Sequence, residues 1–167
     1  MRGEAVARVG RIAIDGTFYR HGNPRYPLDA VPPTALAPSR WQDEGDPASL
    51  HASDSAEAAW AEWAKASGDA VDRKYVRRRS GQIEVNVRAV DLRDHDVQKA
   101  LGIAGDADLT GDDVTTCRRI AEVARALGVE ALLAPSAALH GGTTLVVLPA
   151  GLRKVRVVCE QVAAPPR

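Results

Sequence analysis

Six prolines fall between residues 23 and 49: Pro24, Pro27, Pro32, Pro33, Pro38 and Pro47. Each removes a backbone donor and fixes φ, so the stretch holds neither a helix nor an interior strand. Any sheet must therefore be built from segments on either side of a long excursion. With 167 residues there is room for one domain with a sizeable core and little room for two. An excursion of this length in a compact domain is a common place for a binding or catalytic site.

The segments that can form a sheet are legible from their periodicity. "GRIAIDGTFYRHG" (10–22) carries Ile12, Ile14 and Phe18 as a first strand. "SLHAS" reads as a short strand containing His51, before a helix ending at Ser67-Gly68. Asp54 with Glu57 three residues on predicts that helix's N-cap, as a variant of the capping box. "VRRRSGQIEVNVRAVDL" (76–92) reads as two strands around Ser80-Gly81, with Ile83, Val85 and Val87 alternating with polar residues. A short helix over about 94–101 ends at Gly102. "GDADLTGD" reads as a turn, and a second helix starts near Thr110 and stops at Gly128. Three more strands follow, at 130–137, 143–148 and 153–160. The expected fold class is α+β, a sheet core with a few flanking helices and the 23–49 loop laid over a cleft.

Composition narrows the function. Apolar residues are 45% and charged residues 26%, the balance of a soluble globular protein. Formal net charge is zero, which argues against a nucleic-acid grip or a polybasic membrane contact. The longest apolar run, "TLVVLPAGL", is far shorter than a membrane span, and "MRGEAVARVG" has no secretory h-region. Cys117 and Cys159 are too few for a disulfide framework or a zinc site. Both fall in apolar-patterned segments and are expected to be buried free thiols, in a reducing cytoplasm. The four histidines lack metal spacing, so no metal is expected.

Several residues are of types that carry chemistry. Arg20 follows Tyr19 and Arg40 precedes Trp41. Two guanidinium forks could hold a pyrophosphate, or each could pair with a surface carboxylate. Glu62 lies between Trp60 and Trp63. It could ion-pair with Lys65 three residues on. It could equally stabilise an oxocarbenium centre between aromatic walls. Ser136 follows a proline but lacks a G-x-S-x-G elbow, so it is not read as a hydrolase nucleophile. Arg77-Arg78-Arg79 reads most simply as a solvated hairpin face.

The order of these pieces is more specific than any one of them. "FYRHG" around Arg20, "SRWQDEG" around Arg40 and "SLHASDSAEAAWAE" ending at Glu62 are followed by "VDLRD" (90–94). Then come "LTGDDVTTCRRIAEVARALGVEALLAPSA" (109–137) and "HGGTTLVVL" (140–148). In this order, over about 10–160, the chain resembles the RES domain family, named for an arginine, a glutamate and a serine.

The resemblance implies an ADP-ribosyltransferase-like fold with a split β-sheet cleft that takes NAD+. It implies a bacterial toxin that degrades NAD+, by phosphorolysis to nicotinamide and ADP-ribose 1″-phosphate, or by hydrolysis. NAD+ is then a substrate rather than a cofactor, and inorganic phosphate a co-substrate. The implied partner is an Xre-type antitoxin that occludes the cleft, and a homodimer is possible. Carried over by motif, Arg20 and Arg40 would clamp phosphates and Glu62 would stabilise the cation as nicotinamide leaves. His21, Trp41, His51 and Ser136 would bind NAD+ or phosphate, Ser136 on the nicotinamide side. The family commonly carries a tyrosine at the place of His51, and some members an aromatic at that of His21. Histidine titrates near neutrality, so activity is expected to depend on pH there. Two other readings remain: ADP-ribosyl transfer to a protein, and a non-catalytic RES fold that binds nucleotide or partner.

Overall fold

The computed structural model describes residues 3–32, 37–68 and 76–164. In chain order these form α1 (Gly3–Arg8), β1 (Ile12–Gly22), β2 (Leu50–Ser53), α2 (Ala56–Ser67) and β3 (Arg78–Asp91). Then come α3 (His95–Leu101), α4 (Ala107–Thr110), α5 (Thr115–Ala126), β4 (Ala131–Pro135), β5 (Thr143–Val147) and β6 (Val155–Ala163). A 3-10 turn over Pro149–Lys154 leads into β6. The class is α+β, as expected.

All six strands belong to one sheet, ordered β1-β2-β5-β4-β3-β6, and β1 also pairs with β3. That extra pairing closes a ring of β1, β2, β5, β4 and β3. Strand β3 makes the closure possible because it is long. One edge takes β1 from Gly22–Arg79 to Ile12–Ala89. The other edge takes β6 along Arg78–Val85 and β4 along Ala89–Asp91. The ring is thinnest between β1 and β2, where Tyr19 and Ser53 are the single registered pair.

Period-two alternation fills the ring. Ile83, Val85, Val87 and Ala89 of β3 face inward with Leu50, Ala52, Ala131, Leu133, Leu145 and Val147. Leu28, from the proline-rich segment, joins the same cluster at 1% exposure. The opposite faces, with Leu132, Ala134 and Val146, pack against Cys117, Ile120, Ala121 and Ala124 of α5. At about 25 cal/mol per Å² of apolar surface removed from water, these two layers supply the main folding force.

Five local expectations are corrected. Residues 76–92 hold one strand, not two, because Gly81 pairs with Arg20 on one side and Glu160 on the other. Glycine is needed there for close approach, since a Cβ would run into the Cys159 carbonyl. The cap of α2 is Ser55, whose Oγ accepts from the Ala58 N–H at 3.1 Å. Asp54 instead accepts the Thr143 N–H at 3.0 Å, tying β2 to the start of β5. Thr110 ends α4 by donating to the Asp106 carbonyl, and α5 starts five residues later at Thr115. The "GDADLTGD" turn therefore contains a short helix. Cys117 is buried, but Cys159 is exposed. The register shift between Gln82 and Ile83 leaves Val158 as an extra residue on β6, so Val158 and Cys159 both face outward.

The Gly81 contact gives a direct stability test. Gly81→Ala should lose about 1–3 kcal/mol by urea unfolding, as overpacking against backbone does. Gly10→Ala, with open space around it, should stay within about 0.5 kcal/mol.

Candidate active site

The thin β1–β2 seam opens into a cavity of about 480 Å³, within the range of small-molecule sites. Arg20, His21, Arg40, Trp41, His51 and Glu62 all line it. These residues come from β1, the proline-rich segment, β2 and α2, and the ring's topology is what brings them together. The seventh candidate, Ser136, sits just behind the wall.

Arg20 crosses the seam. Its Nε donates to the Leu28 carbonyl at 2.8 Å and its Nη1 to the His51 carbonyl at 2.9 Å. A side-chain N–H thus joins two strands that share almost no ladder. Burial, and then the neighbouring charge of Arg78, push the Arg20 pKa down to about 10, which leaves it a cation at neutral pH. Arg40 is held by a different element. Its Nη1 donates to Leu109 and Gly111 carbonyls, at 3.2 and 2.7 Å, around the C-terminal end of α4. Neither arginine forms an ion pair with a carboxylate among the described residues, so their charge is free to meet an anion. Trp41 is 2% exposed and packs in the helical core, so it serves as wall.

Two arginines of α5 fasten this arm of the loop. Arg118 donates to the Ser39 carbonyl at 3.0 Å, and Arg125 pairs with Asp46 at 2.8 Å and reaches the Trp41 carbonyl. Positions 33–36 lie outside the described residues.

Glu62 does not pair with Lys65. Its Oε1 accepts the Ser136 hydroxyl at 2.6 Å, the Ala137 N–H at 3.0 Å and the Thr144 hydroxyl at 3.2 Å. Lys65 donates instead to the Ala137 carbonyl at 2.9 Å. Three donors on one oxygen fix the carboxylate and leave Oε2 without a partner among the described residues. The Ser136 Oγ in turn accepts the Ala138 and Leu139 N–H groups. Its hydroxyl is therefore committed to orienting Glu62, and at 7% exposure it presents little to a ligand.

An aromatic cluster closes one end. His21 stacks on Trp60 with centroids 5.3 Å apart, and meets the edge of Trp63 at 6.0 Å. Arg78 lies 5.6 Å above Trp63 and contacts His21 Nδ1 at 3.4 Å. Arg78 and Arg79 are thus half-buried parts of the site's surroundings, not a solvated face. The cause is register: β6 covers the start of β3 and brings its edge beside α2. Trp60 and Trp63 flank Glu62 as the sequence indicates, but Thr144 was not singled out from sequence. Thr144 stands in an ordinary apolar strand pattern, and nothing local marks it.

Both cavity histidines are uncharged at neutral pH. Burial, then Arg78 and Arg20, push His21 down to about 3. Burial, then Arg20 and Arg125, push His51 down to about 4. The expected pH-dependence of activity near neutrality from His51 is therefore corrected. A dependence of stability takes its place. The unfolded chain binds protons at about 6.5 and the folded chain does not, so stability is complete above that pH and falls as pH drops towards 4. Urea unfolding should show a loss of about 1.5 kcal/mol per histidine between pH 6.5 and 5. His51→Gln should flatten that slope, and an unchanged slope would overturn the assignment.

Comparison with known proteins agrees with this architecture. The RES domain profile matches residues 9–166. A relative named probable NAD(+) phosphorylase Rv3189, from Mycobacterium tuberculosis, is 35% identical over 164 residues, covering 98% of this chain and 79% of the relative. A chain in the crystal structure of the M. tuberculosis MbcT–MbcA toxin–antitoxin complex superposes with a TM-score of 0.82. The superposition covers 98% of this chain and 92% of that one at 22% identity, a likeness of fold. The match along almost the whole length and the identity to the phosphorylase lead to one conclusion: this chain belongs to the RES domain family.

Proposed function

We propose that the protein is a bacterial toxin that consumes NAD+ by phosphorolysis of the nicotinamide–ribose bond. The observation that carries this is the opposition of charges in one cavity. Arg20 and Arg40 line it with no carboxylate partner among the described residues, while Glu62 offers an anchored carboxylate in the same lining. The 35% identity to a probable NAD(+) phosphorylase supports the same reaction.

The arginines meet the pyrophosphate of NAD+ and the incoming inorganic phosphate. As the C–N bond breaks, its electron pair leaves with nicotinamide and neutralises the pyridinium. Positive charge then develops on the ribose carbon. Glu62, oriented by Ser136, Ala137 and Thr144, stabilises that charge and holds the ribose hydroxyls. A phosphate oxygen forms the new C–O bond, giving ADP-ribose 1″-phosphate. Because Glu62 is fixed before substrate arrives, little reorganisation opposes the step. His21 and Trp63 offer flat surface at the aromatic end of the cavity, and Trp60 backs His21 from behind. Neutral histidines suit that place better than cations, since the nicotinamide of NAD+ is itself positive.

The thin β1–β2 seam supports an ADP-ribosyltransferase-like split at the cleft. An Xre-type antitoxin that covers this cavity is the partner we propose, which the fold likeness to a toxin–antitoxin complex supports. Among the described residues no helix is long and apolar enough to cross a membrane.

Purified protein incubated with NAD+ and phosphate should release nicotinamide, and ³¹P NMR should show a new sugar-phosphate resonance. Glu62→Ala should lower the rate by at least about 100-fold. ADP-ribose without the phosphate ester would assign hydrolysis instead, and label transferred to protein would assign ADP-ribosylation. Intact NAD+ across a range of pH would sink the proposal.

A further inference from the structure

Behind Arg20 stands a second polar array, outside the cavity. Arg20, Gly81 and Glu160 occupy one row across β1, β3 and β6. The middle residue has no side chain, and the backbone of Leu28 bridges the outer two. Leu28 donates its N–H to Glu160 Oε2 at 3.0 Å and accepts Arg20 Nε on its carbonyl at 2.8 Å. Glu160 Oε1 is itself held by Arg79 Nη1 at 2.5 Å. Arg79 Nε and Nη2 both donate to the Pro24 carbonyl, at 3.2 and 2.7 Å. The Leu28 side chain is meanwhile fixed in the ring's core.

We propose that Glu160 and Arg79 are positioning residues for Arg20, acting through the Leu28 backbone; this rests on the NAD+-consuming function above. Arg20 reaches across a seam with one registered strand pair, so the sheet alone does not set its pose. Its two acceptors do. The His51 carbonyl is fixed by the pairing of β2 with β5. The Leu28 carbonyl lies in a segment with no ladder, and the Arg79–Glu160 pair supplies what the ladder would. The pair's own ionic attraction is secondary, since both side chains are about a quarter exposed and such pairs contribute little. What matters is the direction in which Glu160 points Leu28 and Arg79 holds Pro24.

The test compares Glu160→Ala, Glu160→Gln and Arg79→Ala at a temperature well below unfolding. Arg20 meets the pyrophosphate equally before and during reaction, so Glu160→Ala should raise KM for NAD+ about tenfold while kcat changes less than about threefold. Glu160→Gln keeps an oxygen for the Leu28 N–H and should recover most of that loss. A merely structural role would lower the melting temperature and leave KM alone, which would overturn the proposal. Should Glu160→Ala fail to fold, Arg79→Ala carries the same expectation and the same power to refute. Side-chain ¹⁵N NMR reads the latch without turnover. The Arg20 Nε–H should exchange slowly in the wild type and Glu160→Gln, and rapidly in Arg79→Ala and Glu160→Ala. Equal exchange in all four proteins would overturn the latch even if NAD+ is consumed. If the wild type leaves NAD+ intact, the activity proposal fails by itself and this exchange measurement still decides the latch.

Discussion

The site depends on one buried guanidinium spanning a gap in a sheet. A closed ring of strands satisfies its own backbone groups, and its interior is sealed by aliphatic side chains. Such a ring offers no polar entry unless a seam is left. Here the seam lies between β1 and β2, joined by the pair Tyr19–Ser53 and by Arg20 reaching the His51 carbonyl. The residue that completes the ring is thus also the residue that faces the cavity. Burial of its charge is tolerable because two carbonyl oxygens accept its protons and because the cavity admits water or an anion.

The same economy governs the opposing charges. Arg40 and Arg20 are held by backbone oxygens, which fix position without cancelling charge. Had either met a carboxylate, the cavity would hold a neutral pair and little pull on phosphate. Glu62 shows the complementary arrangement. Hydroxyl and amide donors immobilise one oxygen but leave the carboxylate's negative charge in place. Fixed charges of both signs in one partly enclosed space stabilise a dipolar substrate more than the same charges in water, because the local dielectric is lower.

How much of this the sequence revealed follows from the range of each interaction. Local periodicity located every strand of the sheet and placed Leu28 in a loop. The ordered motifs carrying Arg20, Arg40, Glu62 and Ser136 marked residues that the fold brings around one cavity wall. Features set by cross-strand register were illegible. Ser80-Gly81 looks like a turn, because glycine that permits a turn and glycine that permits close approach are the same residue. Asp54 and Ser55 are both good caps, and the Thr143 N–H, distant in sequence, decides between them by donating to Asp54. The charge state of His51 could not be read either, since burial and the nearness of Arg20 lie outside its own segment.

The proline-rich segment closes the argument. Prolines prevent it from joining the ring, so its carbonyls need other donors. Arginines from three elements supply them: Arg79 of β3 at Pro24, Arg20 of β1 at Leu28, and Arg118 and Arg125 of α5 at Ser39 and Trp41. Arg20 lines the cavity, Arg118 and Arg125 hold residues that line it, and Arg79 stands farther back behind Leu28 and Glu160. A segment that could form its own hydrogen-bond ladder would need none of them, and no guanidinium would be drawn to the seam. The abundance of proline in 23–49 and the cluster of positive charge at the site are therefore linked by one constraint: carbonyls excluded from the sheet take their hydrogen bonds from long cationic side chains.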